Sequence, residues 1–133
     1  MSLVVDASVA AKWVLPEAGS ERALALRNEA ADLLAPDLIV GEVANTVWKY
    51  ARRGALSSAD AIAAVAMATA VIARLAPLHD LLGPAMEMAL RYRHPVYDCF
   101  YVALAQRDGA TLVTADHEQF ELARRTRARA QLL

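Results

Sequence analysis

The sequence lacks most of the features that announce a particular chemistry. It holds one cysteine, Cys99, set in an apolar run, so an internal disulfide is excluded. A reducing, cytoplasmic setting is expected from that usage. No apolar stretch reaches the roughly 20 residues needed to cross a bilayer, so no membrane association is expected. The longest, residues 61–73, is broken by Thr69 and rich in alanine, which suits a buried helix or a subunit contact. The opening MSLVVD reaches a carboxylate at its sixth residue with no basic region before it. A secretory signal is therefore not expected there. Neither sign of charge dominates: 14 Lys and Arg face 15 Asp and Glu, a formal net charge of −1. Attraction to nucleic acid must come from a local basic patch or a bound cation rather than from the global field. A glycine-rich phosphate loop is missing, which excludes a nucleotide switch of that kind. The serine, histidine and acid pattern of nucleophilic hydrolases is missing too. The three histidines, His79, His94 and His117, follow no metal-ligand spacing. They read as structural or surface residues, with His117, beside Asp116, the one of interest.

What is present is apolar material and a regular alternation. With 133 residues, 57% of them hydrophobic, the chain can build a real core, and residues 1–133 read as one domain. Residues 3–5 form a short β-branched run ending at Asp6, and residues 7–15 continue in helical character to Pro16. Ser20 is placed to cap a helix, and residues 31–35 read as a second strand. Pro36 is expected to open a helix reaching about Arg53, with Gly54 as its stop. Ser57 caps the next helix, with Asp60 three residues on. Residues 74–78 read as a third strand interrupted by Pro77. Pro84 is expected to begin a helix to about Arg93, and Pro95 another to about Arg107 with Gly109 just beyond. Residues 111–114 form a strand, 118–125 a short helix, and Leu132 and Leu133 an edge strand. Strands separated by helices imply an α/β fold with a central parallel sheet flanked by helices. Such sheets bind ligands outside the carboxyl ends of their strands.

Four acids fall where that edge should lie. Asp6 and Asp116 directly follow strands, and Glu42 and Asp98 stand near the starts of helices in the apolar stretches LIVGEVANTVW and VYDCFYVALA. Taken singly, each has a plain structural explanation: a helix cap for Asp6, a turn for Asp116, a solvated helix acid for Glu42, a complement to the helix dipole for Asp98. Taken together they converge on one edge of one sheet. A carboxylate in apolar surroundings is costly unless paired or bound to a cation. Four oxygen donors without a histidine or cysteine partner suit a hard ion, Mg²⁺ or Mn²⁺, better than Zn²⁺. Two such ions, about 4 Å apart, can bridge a phosphodiester. Ser8 and Asn45 are candidate supporting polar groups. Lys49, Arg124 and Arg125 are candidate contacts to an RNA backbone.

The segments LVVDAS at 3–8, APDLIVGEVANTVWK at 35–49, VYDCFYVALAQRDGATLVTAD at 96–116, and Phe120 after them, stand in a recognisable order. In that order and spacing the chain resembles the PIN-domain family, and within it the VapC-type toxins of toxin–antitoxin pairs. The resemblance implies a three-layer α/β/α fold and a Mg²⁺- or Mn²⁺-dependent endoribonuclease with Asp6, Glu42, Asp98 and Asp116 as its acidic residues. It also implies an RNA substrate, a homodimer, and a small antitoxin whose tail occupies the acidic groove. Two rivals stand beside it. A haloacid dehalogenase- or receiver-like phosphoryl-transfer domain also places an acid after its first strand, but wants a second acid where Ser8 stands, or a lysine after a late strand. A non-catalytic module that keeps the PIN fold is the other.

Overall fold

The computed structural model describes all 133 residues. The chain alternates as the apolar pattern predicts: β1 (Ser2–Val5), α1 (Ala7–Ala11), α2 (Ser20–Glu29), β2 (Asp32–Pro36), α3 (Leu38–Arg52), α4 (Ser58–Ala70), β3 (Arg74–Ala76), α5 (Leu78–Tyr92), α6 (Val96–Asp108), β4 (Thr111–Thr114), α7 (His117–Arg125) and β5 (Ala130–Leu132). The five strands form one sheet in the order β3-β2-β1-β4-β5, every pairing parallel. Helices cover both faces in a three-layer α/β/α arrangement. The continuous apolar runs of β1 and β4 follow from that cover, because a strand buried on both faces has no solvent side to make polar. Leu3, Val4, Val5, Leu112 and Val113 are all buried. Leu3 lies opposite both Leu33 and Thr111, so β1 is the centre of the sheet.

The sheet order fixes where a ligand can sit. From β1 the chain winds outward through β2 to β3, then returns to the other side of β1 for β4 and β5. The connections leaving β1 and β4 therefore diverge, and the crevice between them opens at the carboxyl ends of these two strands. Across the sheet lies α6, packed against β1, β2 and β4 and buried from Cys99 to Ala105. Gly109 ends it in a left-handed conformation, φ 62°, which glycine adopts without the Cβ penalty.

Two prolines act differently from their sequence reading. Pro36 does not open α3; it ends β2, opposite Ala76 of β3, and the helix starts after Asp37. Its fixed φ suits an extended end as well as a helix start, and the pairing with β3 settles which one forms. Pro84 does not begin α5 but lies inside it, six residues past its first residue, Leu78. Leu81, Ala85 and Met88 form a buried stripe on both sides of Pro84, while Pro84 itself faces solvent. Packing of that stripe holds the helix through a residue that cannot donate its backbone bond. Ser20 is likewise not the cap of α2. Gly19 takes that position, and the Ser20 hydroxyl bonds back to the carbonyls of Leu15 and Glu17.

An exposed proline within a helix lowers stability by up to about 3 kcal/mol. Pro84→Ala is expected to raise the unfolding free energy by about 1–3 kcal/mol in urea titrations. An unchanged or lower midpoint would mean that α5 bends at Pro84 to make a contact the protein needs.

Candidate active site

Asp6 emerges from β1 at the crevice and is immobilised from three sides. Its Oδ1 accepts the Ser8 hydroxyl at 2.6 Å and the Val9 amide at 3.1 Å, the latter as N-cap of α1. Its Oδ2 accepts the Thr114 hydroxyl at 2.7 Å, from the end of β4. Both hydroxyls are themselves oriented. Ser8 Oγ accepts the Ala115 amide at 3.0 Å, and Thr114 Oγ1 accepts the Asp116 amide at 3.0 Å. Each therefore turns its proton to Asp6. Asp6 is only 6% exposed, and burial pushes its pKa up to about 6; the Ser8, Thr114 and Val9 hydrogen bonds oppose that rise and the Asp98 charge adds to it.

Glu42 comes from the second turn of α3 and is half-buried. Its Oε1 accepts the hydroxyl of Tyr101 at 2.6 Å. Burial raises its pKa, the Tyr101 bond opposes, and Asp98 adds. Asp98, in the first turn of α6, places Oδ2 2.7 Å from Nε2 of His94. It too is raised, first by burial, against the pull of His94 and with the charges of Asp116 and Glu118 adding. Asp116 caps α7: its Oδ1 accepts the Glu118 amide at 2.8 Å and the Gln119 amide at 3.4 Å. Tyr101 is held above the ordinary phenol range by burial and by the charge of Glu42, with Asp6 and Asp98 contributing. Asp98 is thus the hub of a shared field: its charge bears on Asp6 and Glu42, and that of Asp116 bears on it.

The four acids of the sequence reading do meet at one edge, though no trio of His, Cys, Asp or Glu side chains is drawn in around a single point. A hydrated hard cation is commonly bound through only one or two carboxylates, with waters in its other positions. Glu42 Oε2, Asp98 Oδ1 and Asp116 Oδ2 accept no side-chain or backbone hydrogen bond. The donor set is oxygen only, carries a surplus of negative charge, and has free lone pairs, so it fits Mg²⁺ or Mn²⁺.

The supporting residues divide. Ser8 is in the site. Asn45 and Lys49 lie exposed further along α3, and neither makes a side-chain hydrogen bond or ion pair with an acid of the site. Arg124 faces Glu121 at 3.6 Å and stacks over Phe120. Arg125 stacks over Tyr92, 5.1 Å from the ring centre. It lines a groove of about 320 Å³ with His94, His117, Glu118, Glu121 and Leu122. Because His94 also holds Asp98, this groove adjoins the acids. His94, not His117, is the histidine on a carboxylate. Its i,i+4 spacing to Asp98 was visible in the sequence. Thr114 and Tyr101 were missed as well: one stands two residues before Asp116, the other three after Asp98.

Comparison with known proteins agrees with this fold. Residues 3–125 match the family model described as PIN domain. The chain is 39% identical over 124 residues to ribonuclease VapC3 of Pyrobaculum aerophilum, covering 91% of this chain and 94% of that one. Among solved structures, PAE2754 from Pyrobaculum aerophilum superposes with a TM-score of 0.70 at 24% identity, over 98% of this chain and 83% of that one. Mycobacterium tuberculosis VapC20, a sarcin-ricin loop cleaving toxin, gives 0.68 at 20% identity, over 88% and 92%. FitAcB from Neisseria gonorrhoeae gives 0.68 at 17%, over 96% and 95%. At such identities these structures speak to the fold alone. The family model spans nearly the whole sequence and the VapC3 relative aligns over nine-tenths of it, so this chain belongs to the PIN-domain family, among its VapC-type members.

Proposed function

We propose that this protein is a divalent-metal-dependent endoribonuclease that hydrolyses RNA phosphodiester bonds as the toxin of a type II toxin–antitoxin pair. The observation that carries this reading is the cluster itself. Three buried or half-buried carboxylates, Asp6, Glu42 and Asp98, are all pushed towards protonation by burial and by Asp98 or its neighbours, with a single imidazole as their only basic partner. Asp6, Glu42, Asp98 and Asp116 would hold Mg²⁺ or Mn²⁺. When bound, such an ion lowers the pKa of water and neutralises charge developing on phosphate oxygens. The chain's own contribution is positional. Ser8 and Thr114 fix both oxygens of Asp6, Tyr101 fixes one of Glu42, and His94 fixes one of Asp98. Asp116 stands exposed at the rim, where a substrate phosphate enters.

RNA as substrate is supported by the relative named ribonuclease VapC3. The groove beside Asp98 offers a path for the strand, with Arg125 as a backbone contact. Arg124 is a weaker candidate because Glu121 faces it, and Lys49 and Asn45 lie further along α3. A small antitoxin and a second copy of the chain are the expected protein partners, and the cytoplasm the expected setting. A protein partner is supported by Trp48 and Ile62, exposed along an apolar groove of about 300 Å³ between α3 and α4.

Asp98→Asn keeps the hydrogen-bond acceptor for His94 and removes the charge. It is expected to cut RNA hydrolysis by more than the roughly 10–100-fold typical of an outer-shell partner, with an unchanged circular dichroism spectrum. Cleavage at the wild-type rate would show that the chemistry lies elsewhere. The pH behaviour has a definite sign. Asp6 binds its proton more tightly folded than unfolded, so stability falls as pH rises from about 4 through about 6. Lifting an acid from 3.8 to about 6 costs the fold about 3 kcal/mol at neutral pH. Metal-free protein should therefore melt higher at pH 5.5 than at pH 7.5, and Mn²⁺ should raise the melting temperature more at pH 7.5. The reverse order would contradict the site. For the substrate path, Arg125→Ala is expected to weaken binding of single-stranded RNA and reduce the salt slope by up to about one, while Lys49→Ala leaves both unchanged. Equal effects would remove the groove from the path.

A further inference from the structure

Tyr101 is 2% exposed, within the buried length of α6. Its hydroxyl does something a core phenol need not do. It donates to Glu42 Oε1 at 2.6 Å, linking α6 to α3 across 59 positions of sequence. No other side-chain hydrogen bond reaches the Glu42 carboxylate. The neighbouring acids are differently supplied, since Asp6 has three donors, two from the start of α1 and one from the end of β4.

Glu42 has the longest and most flexible side chain of the four acids, and Asp98 repels it. Solvent is available to it, because it is half-buried rather than enclosed. Left to itself, such a side chain turns outward, gaining rotamer freedom and hydration. On α6, Asp98 and Tyr101 stand three residues apart and share a face. One helix therefore delivers both a site carboxylate and the donor that retains a second one.

We propose that Tyr101 is a positioning residue that holds Glu42 inward for a divalent cation, leaving Oε2 as the oxygen that meets the ion. This rests on the metal-dependent reading above. The effect acts through Glu42 and not through the phenol touching substrate. It therefore sets the affinity of the site for the cation more than the rate once the cation is bound.

Metal-free wild type, Tyr101→Phe, Glu42→Gln and the double variant are titrated with Mn²⁺ by calorimetry, and their RNA cleavage is followed against Mn²⁺ concentration. Tyr101→Phe keeps the ring and its packing. It is expected to weaken Mn²⁺ binding about 10-fold, with most of the cleavage rate recovered at saturating Mn²⁺. Added to Glu42→Gln, it should change affinity less than about 2-fold, the signature of a shared route. A wild type that binds no Mn²⁺ overturns the metal reading itself. A wild type that binds, matched by Tyr101→Phe, overturns the role of Tyr101 alone. So does an equal loss in both backgrounds. If the phenylalanine variant melts far below wild type, 3-fluorotyrosine at position 101 takes its place. Its fluorine resonance is expected to shift on adding Mg²⁺ to the wild type and to stay still in Glu42→Gln; no shift in the wild type overturns the proposal.

Discussion

Like charges brought together away from water set the terms for this molecule. Asp6, Glu42 and Asp98 share one edge of the sheet, and each is pushed towards its protonated form by burial and by the neighbouring charges. Such a grouping persists only if the scaffold is rigid enough to refuse relaxation. The hydroxyl pair around Asp6 supplies part of that rigidity. Ser8 and Thr114 each accept an amide from the segment after β4 and donate to the same carboxylate. The end of β1, the start of α1 and the exit from β4 are thereby tied at one point. The rest of the fold, an all-parallel sheet covered on both faces, supplies the apolar mass against which this polar knot is held.

The acids are not held alike. Asp6 is fixed at both oxygens, Glu42 and Asp98 at one each, and Asp116 stands exposed with one oxygen on two helix amides. Rigidity thus declines from the floor of the crevice to its rim. A preorganised inner group and a yielding outer one are what the proposed function would require, a small ion held firmly and a large polymer reversibly. The central helix α6 links the two regimes, because it carries Asp98 at the site and packs on β1, β2 and β4 below it.

Much of this was legible in the sequence, and the reasons differ by feature. The strand runs before Asp6 and Asp116 are short, apolar and β-branched, so their ends could be placed, and the parallel topology then put both acids at one edge. Ser57 and Gly109 marked helix ends by chemistry that depends on neighbouring residues alone. What was missed depends on residues far apart. The Thr114–Asp6 and Tyr101–Glu42 bonds join positions 108 and 59 apart. A threonine closing a strand and a tyrosine in an apolar helix look like ordinary residues of their elements. Pro84 misled for a related reason: local preference opens a helix there, and the buried stripe of Leu81, Ala85 and Met88 carries the helix back to Leu78 instead.

Two of the four acids also cap helices. Asp6 closes the start of α1 and Asp116 the start of α7, a contact whose loss costs about 0.5–2 kcal/mol. Glu42 and Asp98 cap nothing. In a genetic screen the four positions would therefore not be equivalent. Under the proposed function, inactive alleles at Asp116 would mix a lost helix cap with lost chemistry, those at Asp6 would set the lost cap against the relief of a buried charge, and those at Glu42 or Asp98 would remove no cap.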